Sequence, residues 1–380
     1  MTELTGTTWN HTRGYLPMVA TAQRYSELHP DTEVRWDRRS LQQFADWPIE
    51  KLAESYDLLV IDHPFSGYAA AHDVLVPLDQ HLPAPFLADQ EANSVGQSHA
   101  SYQYGGHQWA LAIDTAAPVC GSRIDLLQRA GKQVPQDWAG LMDLARDGMV
   151  AVPAVPIDTL MNFYMLCGAL GEEPFTSADA VVSERVGTAA LGMLRELVRA
   201  CDPSCLERNP IATWDLLANT GRAALCPFAY GYSNYGRRGY SAHTLDFTGL
   251  VFVHGRRCRS TLGGAGLAIS SRCRHLAEAL QYCQFVASPQ CQTTLYFDAG
   301  GQPGHRAAWL DTDVNERSNH FFAHTLRTLD NAYLRPRYNG YLDFQDHAAP
   351  VVHRYLSEEI EAARVLDEIN RIYRTSHETS

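Results

Sequence analysis

The chain begins with alternating strand-like and helix-like patterns of apolar residues. Apolar positions at helical spacing predict a helix over residues 14–28, and shorter apolar runs predict strands over 4–9, 33–37 and 58–61. The last run, Leu58 to Ile61, has four consecutive apolar residues, which is typical of a parallel strand buried on both faces. This βαβαβ order predicts an α/β fold with a doubly wound sheet.

Further elements are predicted downstream. Helical periodicity extends over residues 184–200 and over 355–373, where a single amphipathic helix is expected, and a strand is expected over 223–227. Ser40 is a candidate N-cap for a helix that would end or restart at Pro48. No internal repeat interrupts this order.

Length, composition and charge narrow the class of protein. A chain of 380 residues with 45% hydrophobic and 19% charged residues predicts a globular protein of two or more domains or lobes. A net charge of -12 and scattered basic residues argue against nucleic acid as a partner. No apolar run approaches the ~20 residues of a membrane helix, so no membrane insertion is expected.

Cysteine content and the N-terminus bear on the compartment. Nine cysteines, an odd number in a large chain, favour free thiols in a reducing compartment over a disulfide framework. The first residues lack the basic segment and apolar core of a signal peptide. The cytoplasm is therefore expected for the chain as written, and the periplasm if a leader has been removed.

Motifs for catalysis, metals and cofactors are weak. The run 263–266, Gly-Gly-Ala-Gly, precedes a strand-like segment and is not followed by Lys-Ser/Thr, so it fits neither a dinucleotide loop nor a P-loop. His320 and His324 lack the glutamate of a zinc-protease helix, and no G-x-S-x-G elbow is present. We therefore expect no metal, no cofactor and no enzymatic activity.

Five short motifs occur in order along the chain. They are Pro135-Gln136-Asp137-Trp138 with Leu141, Gly221-Arg222-Ala223-Ala224-Leu225, Gly263-Gly264-Ala265-Gly266-Leu267-Ala268-Ile269, Ala277-Glu278-Ala279-Leu280 with Phe285 to Gln290, and Gly300-Gly301-Gln302-Pro303. Each is weak alone, but their order and spacing resemble those of the family 1 extracellular solute-binding proteins, the maltose-binding-protein class of sugar-type ABC importers.

The resemblance implies a fold and a division of the chain. The fold would be a two-lobed, periplasmic-binding-protein-like α/β fold of type II, each lobe a mainly parallel sheet flanked by helices, with a hinge joining the lobes. Lobe 1 would hold residues 1–113 and 262–306, and lobe 2 would hold 114–261 and 307–380. Proteins of this class are commonly monomers, so a monomer is expected.

The resemblance also implies a function. It predicts a non-catalytic protein that captures a small polar ligand, such as a sugar, polyol or sugar-like acid, in the inter-lobe cleft by hinge closure. An ABC-type importer would be served, with its membrane subunits as protein partners. The missing leader, the cysteines and the histidines leave an alternative open, in which the same fold serves as a cytosolic metabolite carrier or sensor, or as an enzyme.

The first candidate ligand-binding residues lie between the first strand and the first helix. Trp9 offers a flat apolar face for a sugar ring, and Arg13 offers a planar fork for a negative group or vicinal diol. Asn10 and His11 lie at the helix N-terminus, where backbone donors are available. The alternative is that Trp9 packs under the helix and Arg13 pairs with an acid.

A second group follows strand ends. Asp62 and His63 come directly after the buried strand, and Asp114 ends the predicted strand before the first lobe crossing. Because the carboxyl ends of strands form the ligand crevice of an open α/β sheet, these residues are expected to bind ligand hydroxyls. The alternative for Asp62 is a loop cap, and for Asp114 a helix N-cap.

The remaining candidates lie later in the chain. Tyr230 and Tyr232 belong to a glycine- and tyrosine-rich segment that suits an aromatic ligand platform, or otherwise a surface loop. Gly263 and Gly264 permit close backbone approach to a ligand, or otherwise form a turn. Arg337 loosely resembles a late ligand-contacting segment of the family.

Overall fold

The structure is a computed structural model that describes residues 1–40 and 48–378. The chain forms two compact units, each assembled from separate segments. Unit 1 comprises Met1–Ala116, Leu262–Asn315 and Arg337–Asn339. Unit 2 comprises Ala117–Thr261, Glu316–Pro336 and the chain from Gly340 onward.

The strands of the described residues are numbered in chain order. They are β1 (Thr2–Trp9), β2 (Thr32–Arg39), β3 (Leu58–Ile61), β4 (Gln103–Tyr104), β5 (His107–Gln108), β6 (Leu111–Ala116), β7 (Pro118–Ser122), β8 (Leu225–Tyr230), β9 (Asp246–Thr248), β10 (Phe252–Val253), β11 (Arg256–Arg257) and β12 (Gly263–Ile269).

The α-helices of the described residues are numbered in the same way. They are α1 (Thr12–Leu28), α2 (Ile49–Ser55), α3 (Phe65–His72), α4 (Ala84–Ala92), α5 (Ser98–Ser101), α6 (Ile124–Arg129), α7 (Trp138–Arg146), α8 (Pro156–Ala169), α9 (Glu184–Ala200), α10 (Pro210–Asn219), α11 (Leu276–Ala287), α12 (Pro289–Cys291), α13 (Arg306–Leu310), α14 (Thr312–Arg317), α15 (Phe321–Asp330), α16 (Tyr341–Ser357) and α17 (Ala362–Glu378).

Unit 1 is built on a five-stranded mixed sheet in the order β2-β1-β3-β12-β6. β1 pairs in parallel with β2 and with β3, whereas β12 pairs antiparallel with β3 and with β6. All four residues of β3 are buried, as their uninterrupted apolar character predicts. The predicted strands around α1 are confirmed, and the carboxyl ends of β1 and β3 carry candidate residues.

The core of unit 1 joins the sheet to the helices packed on it. Met18 and Tyr25 of α1, and Tyr282 of α11, are buried together with apolar residues of β1, β3, β6 and β12. The Tyr282 hydroxyl lies 2.9 Å from Thr21 Oγ1 and accepts from Trp36 Nε1 at 3.1 Å. The polar ends of these buried rings are therefore satisfied, as a buried hydroxyl or indole N–H requires.

The sheet of unit 2 differs from the mainly parallel sheet expected for this lobe. Its three strands run in the order β8-β7-β9, and both pairings are antiparallel. On the other side of β8, the segment that follows Met149 makes only an isolated parallel bridge, Val150 to Leu225. Pro153 and Pro156 follow in this segment, and proline lacks the N–H that a longer parallel ladder would need.

The C-terminal segment forms two helices rather than the single helix expected over 355–373. α16 ends at Ser357 and α17 begins at Ala362. Two arginines of α9 bind carbonyls of the intervening residues: Arg199 Nη2 donates to Glu358 O at 3.3 Å, and Arg195 Nη1 donates to Ile360 O at 3.1 Å. The prediction failed because apolar periodicity continues across a break that is stabilised by these distant side chains.

Two further points concern the limits of the elements. The helix predicted after Ser40 falls on residues 41–47, outside the described residues, and α2 begins directly after Pro48. Among the helices that the structure describes, none is long and apolar enough to span a bilayer.

Candidate functional site

The turn from β1 into α1 in unit 1 is capped by an imidazole. His11 is the N-cap of α1, and its Nδ1 accepts a hydrogen bond from Arg13 N at 3.0 Å. Burial, followed by the nearby Arg13 charge, lowers the pKa of His11 to about 4. The ring is therefore neutral near pH 7, with its proton on Nε2, and the residue is partly exposed.

Trp9 lies under this turn. It is 4% exposed, and a Cβ added at Gly14 would lie 2.3 Å from the indole ring, so the ring packs directly on the first turn of α1. This is the packing alternative considered for Trp9, and ligand stacking on its ring stays a prediction. Asn10, in contrast, is exposed, and its backbone N–H donates to Arg39 O at 2.7 Å.

Arg13 and Asp114 form a buried ion pair within unit 1. Arg13 Nε donates to Asp114 Oδ2 at 2.8 Å and Nη2 donates to Oδ1, so the contact is bidentate. The two side chains are 4% and 0% exposed. Burial raises the pKa of the Asp114 carboxyl, and the guanidinium opposes that rise. The two candidate ligand-binding residues, Arg13 and Asp114, thus bind each other, which indicates that the pair positions the N-terminus of α1.

Asp62 and His63 lie together just beyond β3. Asp62 Oδ1 accepts from His63 N at 2.8 Å and lies 3.1 Å from His63 Nδ1, so the carboxylate is fixed by its neighbour's backbone and lies close to the ring. The His63 side chain is 1% exposed, whereas that of Asp62 is 23% exposed. Of the two predicted residues, Asp62 is therefore the one that can reach a ligand.

The two candidate glycines are explained in part by strand pairing. Gly264 has φ +115, and a Cβ there would lie 2.3 Å from Asp114 O on β6. The register of β12 against β6 shifts between Ala265 and Gly266, so the backbones approach closely at an irregularity. Gly263 is buried at the start of β12. Both glycines are therefore paired within a strand and do not form the turn considered as the alternative, and contact with a ligand stays a prediction.

Arg337 belongs to the short segment that returns to unit 1. Its Nη1 donates to Ala100 O and, at 3.0 Å, to Gln103 O, and burial lowers its pKa. A Cβ added at Gly67 would lie 1.6 Å from Arg337 O, so this segment crosses directly over the first turn of α3. The Arg337 guanidinium is thus fixed beside β4.

In unit 2, the predicted tyrosines lie at and after the end of β8. The hydroxyl of Tyr230 lies 3.4 Å from Thr261 Oγ1, and the Tyr230 carbonyl accepts from Trp214 Nε1 at 2.8 Å. Tyr230 is partly exposed, whereas Tyr232 is 5% exposed and precedes a 3₁₀ turn, Ser233–Gly236. Tyr230 is therefore the residue of this pair that can form a ligand platform.

A buried acid in unit 2 was missed by the sequence reasoning. Asp158 lies in the first turn of α8 and is 5% exposed, and its Oδ2 has no hydrogen-bond partner within the part of the chain that the structure describes. Burial raises its pKa to about 8, so the carboxyl is largely protonated at pH 7. The only signal available was an acid two residues after a proline, which also marks an ordinary helix start.

The described residues form neither a metal centre nor a reactive thiolate site. Within residues 1–40 and 48–378, no group of three or more His, Cys, Asp or Glu side chains is placed to hold a metal ion. All nine cysteines are unpaired, and eight of them are buried. Burial raises the pKa of thiols such as Cys120, to about 12, which disfavours a nucleophilic thiolate.

In each unit, several exposed or partly exposed residues of the predicted set carry groups that can donate or accept hydrogen bonds. Unit 1 presents Asn10, the neutral imidazole of His11 and the carboxylate of Asp62, and unit 2 presents the Tyr230 ring and hydroxyl. Such groups suit ligand hydroxyls. The buried side chains of the set are those of Trp9, Arg13, His63, Asp114 and Tyr232.

Comparison with known proteins identifies the fold. No family model matches the chain, and no curated protein matches its sequence. Among solved structures, a maltose-bound MalE3 of T. maritima matches with a TM-score of 0.83 and 19% identity, over 99% of this chain and 100% of that chain. An ABC transporter solute-binding protein of Agrobacterium radiobacter K84 in complex with ribitol matches with a TM-score of 0.82 and 19% identity, over 98% of both chains.

A third solved structure extends the comparison. It is an ABC transporter solute-binding protein of Agrobacterium vitis S4 with bound D-mannitol, with a TM-score of 0.80 and 14% identity, over 100% of this chain and 99% of that chain. The chain therefore has the two-lobed α/β fold of these solute-binding proteins, as the sequence motifs predicted.

Proposed function

We propose that the protein is a non-catalytic solute-binding protein that captures a small polar ligand for an ABC-type importer. The observation that carries the proposal is the full-length similarity to binding proteins solved with maltose, ribitol and D-mannitol. These three ligands share many hydroxyl groups and no charge. A neutral sugar or polyol is accordingly the ligand class that we propose for this chain.

The chemistry of the candidate residues supports this ligand class. In unit 1, neutral His11 donates through Nε2–H, while the carboxylate of Asp62 accepts from hydroxyls. In unit 2, the ring of Tyr230 can stack on the C–H face of a sugar. The guanidinium of Arg13 already holds Asp114, so the charge that could have selected a ligand anion is neutralised inside the protein. Neutral ligands are therefore favoured over sugar acids.

Asp158 adds a role that is specific to unit 2. Because its carboxyl is largely protonated at pH 7, it can both donate to and accept from a ligand hydroxyl. A ligand hydroxyl at Oδ2 would supply the hydrogen bond that the described protein groups do not. We include Asp158 with Tyr230 as the unit 2 contribution to binding, while lobe closure about a hinge stays a prediction.

One observation favours a second candidate function, that of a cytosolic metabolite carrier or sensor on the same fold. Cysteines in oxidising compartments are usually paired, whereas all nine here are free. Burial raises the pKa of several of these thiols, including Cys201 and Cys258, which would protect them from oxidation in either compartment. The two functions predict different ligands, so ligand identity separates them.

A thermal-shift screen tests the proposal and separates the alternatives. Neutral sugars and polyols, sugar acids and sugar phosphates are compared, and a ligand at about 100 times its Kd should add about 2.7 kcal/mol to the free energy of unfolding. A response confined to neutral sugars or polyols supports an importer receptor. A response confined to phosphorylated metabolites supports the cytosolic carrier, and no response in any class contradicts both.

Variants then connect the response to the site. We expect Asp62→Asn and Tyr230→Ala each to weaken binding about tenfold or more, because each removes a direct contact. Asp143→Asn serves as the matched control, since the Asp143 side chain is 73% exposed, lies on α7 and is not among the candidate residues. Unchanged affinity in both site variants would contradict the assignment of these residues while leaving the function open to the screen.

A further inference from the structure

A cavity with a volume of about 720 Å³ lies in unit 1 beside the β4–β5 hairpin. The hairpin turns through Gly105 and Gly106, whose φ angles are +60 and +86, so a tight two-residue loop forms one wall. The helix α4 forms the opposite wall through apolar side chains that include Leu87 and Ala88. A cavity of this size is in the range that binds small molecules.

Among the residues that line this cavity, Gln108 has a buried amide with an unused acceptor. Gln108 lines the cavity and is 3% exposed. Its Nε2 donates to Ala110 O at 2.7 Å and to His99 O at 3.2 Å, which fixes the orientation of the amide. Its Oε1 has no hydrogen-bond partner in the described part of the chain. A buried amide oxygen is stable only when a donor reaches it, so a donor from outside the protein is indicated.

Further acceptors surround Gln108. Asp79 accepts from Gln108 N at 2.9 Å and lies 3.0 Å from His107 Nδ1. Partial burial of Asp79 acts against ionisation, but these hydrogen bonds outweigh it and lower its pKa. Glu91 is exposed at the rim, and the 5% exposed His99 also lines the cavity, where burial lowers its pKa. The cavity is therefore rich in acceptors.

Donors are present as well, and the charges nearly balance. Arg337 lines the cavity and uses only Nη1 for Ala100 O and Gln103 O, so Nε and Nη2 make no hydrogen bond within the described part of the chain. The formal charges of the two lining carboxylates, Asp79 and Glu91, exceed that of Arg337 by only one. A cavity without a strong net charge disfavours phosphates and other multivalent anions.

We propose that this cavity is a second small-molecule site, specific for a neutral polyhydroxylated compound. Hydroxyl groups donate to Gln108 Oε1 and to the carboxylates, the guanidinium of Arg337 donates to a ligand oxygen, and Leu87 and Ala88 contact the carbon skeleton. Apart from Arg337, none of the residues lining it belongs to the set predicted from the sequence. The inference stands independently of the proposed function, because it rests on the cavity alone.

Methyl NMR of the full chain tests this site directly. Leucine and alanine methyl groups are labelled, and D-mannitol and ribitol are titrated separately while the Leu87 signal is followed. We expect a saturable shift of Leu87 that Ala88→Trp abolishes, because the indole on this exposed helix position fills the cavity. A Leu87 signal that stays unchanged to tens of millimolar of both polyols, or that shifts equally in Ala88→Trp, would overturn the proposal.

A second pair of variants tests the role of the unused acceptor. Gln108→Met preserves side-chain length but removes the amide oxygen, and we expect at least about tenfold weaker binding of the polyol that shifts Leu87. Gln103→Met, at an exposed glutamine in the same cavity, is the matched control and should change the affinity less than about threefold. Equal affinities of the two variants would show that solvent alone satisfies Gln108 Oε1, and the site would be rejected. Gln108→Met also removes the two hydrogen bonds of Nε2, so the melting temperature of this variant is measured in parallel. If the Gln108→Met protein is unfolded, the result for Ala88→Trp decides the outcome.

Discussion

The two units each bury an aspartate, and the two carboxyls are stabilised in opposite ways. Asp114 in unit 1 accepts hydrogen bonds from Nε and Nη2 of Arg13, and both side chains of this pair are buried from solvent. Asp158 in unit 2 has an Oδ2 without a partner in the described residues, and it responds by holding its proton, with a pKa of about 8. Burial raises the pKa of both carboxyls, but only Asp114 has a neighbouring guanidinium that opposes the rise.

This comparison also separates structural from functional residues. The Arg13–Asp114 pair is self-satisfied and needs no ligand, although both residues stand where ligand contacts were predicted. Asp158 was not predicted, yet its unsatisfied oxygen is the feature that a ligand hydroxyl would complete.

The largest effect is expected from breaking the ion pair. Arg13→Leu leaves Asp114 buried without its partner, and we expect a loss of about 3–5 kcal/mol in the free energy of unfolding, measured by urea denaturation. The double variant Arg13→Leu/Asp114→Leu should recover much of that loss, because two apolar side chains replace both charges. Arg35→Leu, which removes exposed ion pairs with Glu3 and Glu33, is the control and should change the free energy of unfolding only slightly. A similar small loss in Arg13→Leu would contradict the account.

An opposite, stabilising change is expected at Asp158. The folded pKa is raised from 3.8 to about 8, so the contribution of this group is fully present below pH 3.8 and is lost as the pH rises to about 8. Asp158→Asn removes this dependence, and at pH 9 we expect a gain of about 2–3 kcal/mol, which is less than the full linkage value because a buried amide also needs partners. The comparison is made by urea denaturation at pH 5 and pH 9.

Asp143→Asn, at a side chain that is 73% exposed, controls for the loss of an acid. The interpretation of Asp158 fails if Asp158→Asn loses as much stability between pH 5 and pH 9 as the original protein does.

A smaller effect is expected at His11, beside the ion pair. Its folded pKa is lowered from 6.5 to about 4, so the stability that it contributes is present above pH 6.5 and is lost as the pH falls towards 4. At pH 5 we expect the original protein to lose about 1–2 kcal/mol relative to pH 7 from this group. His11→Asn keeps a capping side chain and should lack this loss.

Melting temperatures at pH 7 and pH 5 measure the difference at His11. His324→Asn, at an exposed histidine of α15, is the control and should behave as the original protein. An identical acid response in His11→Asn and in the original protein would show that His11 is not buried in its neutral form.

Local patterns predicted much of the fold but not the pairing of distant groups. The apolar run of β3 and the helical spacing of α1 and α9 were sufficient to find those elements, and they placed Asp62 and His63 at a strand end. Arg13 and Asp114 lie 101 residues apart, so nothing local indicates that they bind each other. The antiparallel direction of the unit 2 strands is also absent from the apolar pattern, because both directions give buried strands.

The candidate site was predicted less completely, and for a similar reason. The residue types expected for hydroxyl binding are present, but their exposure depends on packing that one sequence does not reveal. The Trp9 ring packs against the backbone of α1 at Gly14, whereas Tyr230 stays partly exposed. Asp158 was missed because its lack of a partner is a property of the folded chain and not of the residues beside it.

The central claim is tested most directly by isothermal titration calorimetry with the neutral sugar or polyol that gives the largest thermal shift. The ligand is then recovered from the calorimeter cell and analysed by chromatography. We predict saturable binding that Asp158→Asn weakens, with the ligand recovered chemically unchanged after prolonged incubation. Binding that is the same in Asp158→Asn and in the original protein would remove Asp158 from the site. Conversion of the ligand into a product would contradict the proposal that the protein is non-catalytic. If none of the neutral sugars and polyols that shift the melting temperature gives a binding heat, the proposal that the protein is a receptor for such ligands is contradicted.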